Sequence, residues 1–252
     1  MEFQGGSFEG GGYGDLSPKD YNGLSIWGRS TDGIKFGRGA NIASIQDIST
    51  DNGRIYTGGT AGSIVNTPYQ SAIKGSGSGT PTSFQAMGDY ASFLTDGSPY
   101  SFFLVCNSTN ASSASTGGNY INAVNGASSN VWRLSPSNGS QIIRVAPNVP
   151  NTTIPLGGSN MNYFLADINY GYAYGANCFR SYVNNVLMTR TSYNANPTAI
   201  KVTRFYVNFQ SPHLTYEWFA YNNTGKSIDK IEAERDALFE IYVKNRYKNF
   251  IP

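Results

Sequence analysis

The sequence predicts an all-β protein: an antiparallel β-sandwich with one C-terminal α-helix and a glycine-rich N-terminal arm. Three observations predict it. Short segments of aromatic or β-branched bias recur from Leu24 onward, separated by turn residues. No helical pattern interrupts them. Then residues 227–247, SIDKIEAERDALFEIYVKNRY, abruptly become charged and helix-forming.

The first segment, residues 1–20, reads as a flexible anchoring arm, and residues 21–252 as one sandwich with its terminal helix. In the arm Phe3, Phe8 and Tyr13 lie five residues apart on glycine-rich chain. Glycine loses the most entropy on ordering, so this stretch does not fold alone. Aromatics on such a string suit docking into a partner's pockets.

The strand candidates follow in order: RIYTGG, TSFQAM, YSFFLVCN, VWRLS, QIIRVA, MNYFLADIN, CFRSYVNN, VLMTRTS, KVTRFYVNF and LTYEWFAYN. Asn184-Asn185 reads as a two-residue hairpin turn, because Asn tolerates the positive φ of a type I′ turn. Asn138-Gly139 is a second such signal. No fixed-period repeat is present, which disfavours propellers and solenoids. In the tail, Asp229 reads as N-cap with Glu232 completing a capping box. Ile231, Leu238 and Tyr242 form an apolar stripe flanked by Phe239 and Ile241. Glu240 sits four residues before Lys244. The stripe predicts a lid at the rim of the sandwich.

The 252 residues include 18 Tyr and 14 Phe, enough for a sizeable core, but only 13% are charged, about half the usual share. Net charge is +2, and no basic stripe marks a phosphate-tracking surface, so no nucleic-acid partner is expected. No apolar run approaches ~18 residues, so no membrane insertion is expected. MEFQGGSFEGGGYG has neither the basic nor the apolar region of a signal peptide.

Catalytic constellations are sparse. A glycosidase needs two carboxylates flanking the scissile bond, yet no glutamate occurs between Gly10 and Tyr216, and Glu217 stands alone on its strand. His213 is the sole histidine and lacks a nucleophile elbow. Cys106 and Cys178 are the only cysteines; they read as buried free thiols, with a bridge the alternative. One His and two separated Cys make no transition-metal site. No cofactor is expected. Ca2+ is the one ion whose chemistry the loops STDG (30–33) and STDNG (49–53) could meet, although both sequences read first as turns. Sequons at Asn107, Asn110, Asn138, Asn151 and Asn222 are what an Asn/Ser/Thr-rich chain yields by chance.

The stretch DINYGYAYGANC is more informative. Tyr170, Tyr172 and Tyr174 alternate, so on a strand their rings would share one face. Tyrosine offers a sugar ring an apolar platform with a polar tip, and Asn169 and Asn177 could add amide hydrogen bonds. The alternative is that these rings fill the core or a subunit interface.

Taken together, LSIWGRSTDG, ASIQDISTDNGRIY, the segment TPYQSAIKGSGSGTPTSFQAMGDYASFL, YSFFLVCNS, SYVNNVL and the closing EWFAYNNTGKSIDKIEAERDALFEIYVKNRY resemble concanavalin A-like (laminin G-like) jelly-roll domains of bacteriophage virion and bacterial surface proteins. The resemblance spans Leu24 to Tyr247 and excludes the arm. It departs at Asn185, where the family's hairpin usually carries glycine. Glu217 matches the family's structural acidic position, and the acidic residues that its glycosidases carry on alternate positions are missing. The resemblance implies a non-enzymatic, lectin-like virion structural protein: a head fibre, a capsid decoration or a tail receptor-binding module. Its implied partners are other virion structural proteins, further copies of itself (a trimer being the expected oligomer) and a host cell-surface glycan. The alternative is a carbohydrate-binding module of a bacterial surface or secreted protein.

Overall fold

A computed structural model describes residues 16–37, 41–49, 54–57, 63–67, 70–74, 83–107, 120–127, 130–138, 141–156, 162–208 and 214–248. The strands in chain order are β1 (Leu24–Arg29), β2 (Ile34–Phe36), β3 (Ile42–Gln46), β4 (Ile55–Thr57), β5 (Ser63–Asn66), β6 (Ser71–Lys74), β7 (Ser83–Met87), β8 (Tyr100–Asn107) and β9 (Ile121–Val124). They continue as β10 (Asn130–Asn138), β11 (Gln141–Val145), β12 (Thr152–Pro155), β13 (Asn162–Asn169), β14 (Phe179–Val183), β15 (Val186–Thr191), β16 (Arg204–Asn208) and β17 (Leu214–Asn222). Pairing is antiparallel throughout the two sheets. An eight-stranded sheet runs β15-β14-β13-β8-β17-β6-β5, with β1 also paired to β17. A nine-stranded sheet runs β12-β11-β10-β9-β16-β7-β4-β3-β2. The expected antiparallel sandwich is therefore found.

The main core lies between the sheets. From the eight-stranded sheet Phe102, Leu104 and Cys106 of β8 point inward, as do Leu165 of β13 and Trp218 of β17. From the other sheet come Phe84, Ile121, Trp132, Leu134, Ile142 and Phe205; the Trp132 and Phe102 rings lie 4.9 Å apart. Gly28 of β1 sits flat against the Trp218 indole, where a Cβ would come within 2.1 Å of the ring. Cys106 and Cys178 are buried and unbridged, and burial pushes both thiols up.

β8 does not alternate in its sequence because the structure buries both of its faces. Phe103 and Val105 point away from the main core into a second one, with Phe164, Phe219, Tyr221 and the helix residues Ile231, Leu238, Phe239, Tyr242, Val243 and Tyr247. The helix begins as α1 (Ile228–Ala237), widens into a π-helical segment (Leu238–Val243) and closes with α2 (Lys244–Arg246). In the wide turn the Lys244 N–H donates to Phe239 O. That turn keeps Phe239, Tyr242, Val243 and Tyr247 all facing the sheet. The Phe239 ring stacks on Phe164 at 5.5 Å, and Tyr242 meets Phe219 edge-on at 6.2 Å. The helix thus lies across the outer face of the eight-stranded sheet, which corrects the expected rim position. The stripe is wider than the sequence period implied because the π turn adds residues to it.

Capping differs too. Ser227, not Asp229, is the N-cap, and its hydroxyl accepts from the Lys230 N–H at 3.3 Å. Glu232 closes no capping box; it accepts from the Tyr182 hydroxyl at 3.1 Å and from Arg180 at 3.3 Å. The hairpin turn is as expected: Asn184 and Asn185 have φ of 50° and 64°, and Val183 pairs with Val186 across it. Asn185 also donates to Asp236 at 3.0 Å, tying the turn to the helix. β10 and β11 pair with Asn138 opposite Gln141; the two residues between them lie outside the described residues.

One carboxylate joins these layers. Glu217 is fully buried in the middle of β17. It accepts from Trp27 Nε1 at 2.5 Å and from the Tyr242 and Tyr247 hydroxyls, each at 2.6 Å. Arg29 and Arg246 lie 3.3 and 3.7 Å from it. A second buried carboxylate, Asp47, ties the loop between β3 and β4 to β1: it accepts from Trp27 N, Ser49 N, Arg54 and the Tyr56 hydroxyl. Residues 16–20, grouped with the arm on sequence, sit against the body. Leu16 packs on the second core, and the Tyr221 hydroxyl donates to Pro18 O at 2.8 Å. Phe3, Phe8 and Tyr13 lie outside the described residues.

Removing one partner of a buried charge network leaves the others uncompensated, which costs about 3–5 kcal/mol. Glu217→Ala is expected to lose that much in urea unfolding, and Phe239→Ala about 3–5 kcal/mol by vacating the second core. Lys244→Ala, which breaks only the exposed pair with Glu240, should cost about 0.5 kcal/mol or less. Equal losses for all three would contradict the anchoring role of Glu217.

Candidate functional site

The tyrosine segment is not a strand. β13 ends at Asn169, and Gly171 (φ +90°) and Gly175 (φ +85°) bracket a 3-10 turn, Tyr172–Tyr174. L side chains rarely adopt such positive φ, so these glycines set the turn. The expected shared face for Tyr170, Tyr172 and Tyr174 is therefore corrected: the backbone reverses between them. Tyr170 turns inward and is 6% exposed, its ring 5.3 Å from that of Tyr174 and under the Arg180 guanidinium at 4.8 Å. Tyr172 and Tyr174 remain 44% and 38% exposed. The Tyr174 hydroxyl accepts from Arg180 at 3.0 Å, and the Tyr172 ring leans edge-on against Tyr193 at 5.5 Å.

The two asparagines separate likewise. Asn169 is buried and internal: its amide donates to Ser98 O and to the Tyr193 hydroxyl, and its oxygen accepts from Gly171 N at 2.9 Å. Burial pushes the Tyr193 phenol up to about 12, with the Asn169 hydrogen bond acting the other way. Asn177 is exposed in a left-handed turn (φ 58°), its N–H donating to Ser192 Oγ at 2.7 Å. Tyr172, Tyr174 and Asn177 thus reach solvent, while Tyr170 and Asn169 hold the turn in place.

The buried carboxylates are committed elsewhere. Between the sheets Asp167 faces Arg144 at 3.1 Å and accepts from Ser181 Oγ at 2.8 Å and from the Tyr100 hydroxyl at 3.2 Å. Arg144 also donates to Thr152 and Thr191 and covers the Phe179 ring. Asp167 and Glu217 are both sealed from solvent. Asp32 of the STDG loop pairs with Arg29 at 2.6 Å beside a positive-φ Gly33, as a turn requires. Among the described residues no three His, Cys, Asp or Glu side chains converge on a point. His213 and residues 50–53 lie outside them.

Sequence reasoning did not identify the outer face of the nine-stranded sheet. There the residues between the inward core positions line up across neighbouring strands. Tyr206 of β16 stands opposite Gln85 of β7 on one side and Asn122 of β9 on the other. Asn122 in turn stands opposite Arg133 of β10. With strands ~4.8 Å apart the row spans roughly 14 Å. Arg204, two residues before Tyr206, donates to its hydroxyl at 3.3 Å. Each strand shows the inward–outward alternation in its sequence, but the strand order that makes these residues neighbours appears only in the fold. The row is not open to solvent: Asn122 and Val124, on the same side of β9, are 5% and 3% exposed, and Gln85, Arg133 and Tyr206 are half-buried.

Burial decides what truncation does to the tyrosines. Tyr170→Ala is expected to cost roughly 3 kcal/mol in thermal unfolding, as for a core ring. Tyr172→Ala and Tyr174→Ala should each cost under about 1 kcal/mol. A Tyr170 variant as stable as the other two would refute its positioning role.

No protein-family model and no curated protein sequence matches the chain. Solved structures do. The binding domain of Paraclostridial Mosquitocidal Protein 1 superposes with a TM-score of 0.62 at 13% identity, over 89% of this chain and 53% of that one. Trypanosoma rangeli sialidase in complex with sialic acid gives 0.60 at 11%, over 90% and 34%. The binding domain of botulinum neurotoxin serotype G gives 0.57 at 11%, over 87% and 51%. The chain thus spans about a third to a half of these proteins, and what it shares with them is the β-sandwich fold.

Proposed function

We propose that this chain is a non-enzymatic, lectin-like binding module of a bacteriophage particle, joined through its N-terminal arm to other virion proteins. It holds a host cell-surface glycan at the exposed turn that carries Tyr172 and Tyr174. The observation that carries the glycan reading is that this turn sets two rings and an amide in solvent. Between Gly171 and Gly175, Tyr172 and Tyr174 are 44% and 38% exposed, and Asn177 beyond them is exposed too. Aromatic ring plus amide is the chemistry that suits sugars: a flat apolar platform with directional donors and acceptors at its edge.

The non-enzymatic reading rests on Asp167 and Glu217, whose oxygens are engaged by Arg144, Ser181 and Tyr100 and by Trp27, Tyr242 and Tyr247. The fold neighbours described as binding domains, and a botulinum neurotoxin type C structure concerned with two ganglioside molecules, support binding as the role. The virion setting rests on the resemblance and on the low-charge, Gly/Asn/Ser-rich composition. A carbohydrate-binding module of a larger surface or secreted protein is the second reading, favoured by the share of its neighbours that this chain spans.

A glycan array tests the binding. The unaltered chain is expected to bind a subset of surface glycans, and Tyr172→Ala or Tyr174→Ala to lose at least about tenfold in affinity, a stacking contact being worth about 1–3 kcal/mol, with little change in Tm. Full binding by both variants would overturn the placement. Deleting residues 1–15 should leave a folded sandwich that no longer joins the phage particle; normal incorporation would refute the arm's role.

A further inference from the structure

We infer that the glycan held at the Tyr172–Tyr174 turn carries an anionic group, and that Arg190 is the residue that recognises it. This rests on the glycan reading of that turn and adds the charge class of the ligand and the side chain that selects it.

Arg190 lies on β15, the edge strand of the eight-stranded sheet, and is exposed. It stands directly opposite Arg180 of β14. Both belong to the outer face. The Arg180 guanidinium covers the Tyr170 ring there, and Thr191, the residue after Arg190, turns the other way to accept from the inward Arg144. Residues paired in this manner hold their Cβ atoms about 5 Å apart, and like charges so placed repel each other. Arg180 is compensated by Glu232 at 3.3 Å. Arg190 is not. The two acids of the neighbouring helix are taken: Glu232 by Arg180 and Arg235, Asp236 by Arg235 and Asn185. Among the described residues no carboxylate forms an ion pair with Arg190.

Arg180 links this uncompensated charge to the turn. It donates to the Tyr174 hydroxyl at 3.0 Å, so Tyr174 and Arg190 are both its neighbours, one by hydrogen bond and the other by strand register. Both reach solvent. A sugar resting on the Tyr174 ring would bring an acidic substituent to Arg190. The guanidinium fork matches a planar oxyanion with two parallel hydrogen bonds, stronger than bonds between neutral groups. An anion beside the two arginines also offsets their mutual repulsion. A charge pairing that is unfavourable by itself, placed beside exposed aromatic rings, marks a site that a ligand completes.

The test compares matched pairs on the unaltered chain: sialylated and uronate-containing oligosaccharides against their desialylated or carboxyl-reduced counterparts, and sulfated oligosaccharides against desulfated ones. Binding at least about tenfold tighter for the anionic member of one pair is expected, one charged hydrogen bond being worth that much, with the gap narrowing as salt is raised. The pair that shows it identifies the group as carboxylate or sulfate. Arg190→Gln should remove most of the gap while leaving the neutral member's binding and the Tm unchanged. Lys35→Gln, the same charge change on exposed β2 of the other sheet, should leave the gap intact. Equal binding within every pair would overturn the charge class while leaving the glycan reading standing. Binding of no glycan at all would overturn both. A gap that survives Arg190→Gln, or that Lys35→Gln abolishes equally, would overturn the assignment of Arg190.

Discussion

The architecture depends on a carboxylate that water cannot reach. Glu217 sits in β17, the strand that pairs with β8, β6 and β1, and it collects donors from both ends of the chain: Trp27 in the first strand, Tyr242 and Tyr247 in the last helix. A charge without partners in such a place would be strongly unfavourable. The carboxylate therefore enforces an arrangement as much as it stabilises one: any packing of the helix that pulls the two tyrosines away strips two hydrogen-bond donors from a buried acid and leaves it only Trp27 and Arg29 of the first strand. A purely apolar contact would tolerate sliding of the helix; hydrogen bonds of 2.5–2.6 Å do not.

From that constraint follows the asymmetry of the molecule. With the helix fixed over the eight-stranded sheet, its central strands β8, β13 and β17 are buried on both faces, whereas β15 at its edge is not. In the nine-stranded sheet β11 alternates between buried and half-buried positions, while β9 is buried throughout. Three acids are fully buried, Asp47, Asp167 and Glu217, and each is structural because it is surrounded by donors.

Much of this was legible in the sequence. YSFFLVCN and LTYEWFAYN read as strands because of their aromatic and β-branched residues, and Asn184-Asn185 named its own turn. The helix was plain from its charge and period. What escaped was what three-dimensional order supplies. The π-helical turn at Leu238–Val243 widens the apolar stripe without a signature in composition, so a rim position seemed sufficient. In NYGYAYG, alternation suggested a strand, but glycines at 171 and 175 reverse the backbone, and that conformational choice overrode the period-two pattern. The row of Gln85, Tyr206, Asn122 and Arg133 draws on four segments spread over more than a hundred residues. No local pattern could bring them together.

The position of β17 also bears on how the chain is made. Residues 214–222 form the last strand in sequence, yet in space they lie in the middle of the eight-stranded sheet, between β8 and the pair β1 and β6. During synthesis, β8 and β13 emerge long before the neighbour that completes them, and β1 waits longer still. Until β17 leaves the ribosome, the edge of β8 stays open and the aromatic residues on both its faces lack their cover. Nascent chains in that state are vulnerable to pairing with one another. The sandwich can close only after translation has passed its final strand.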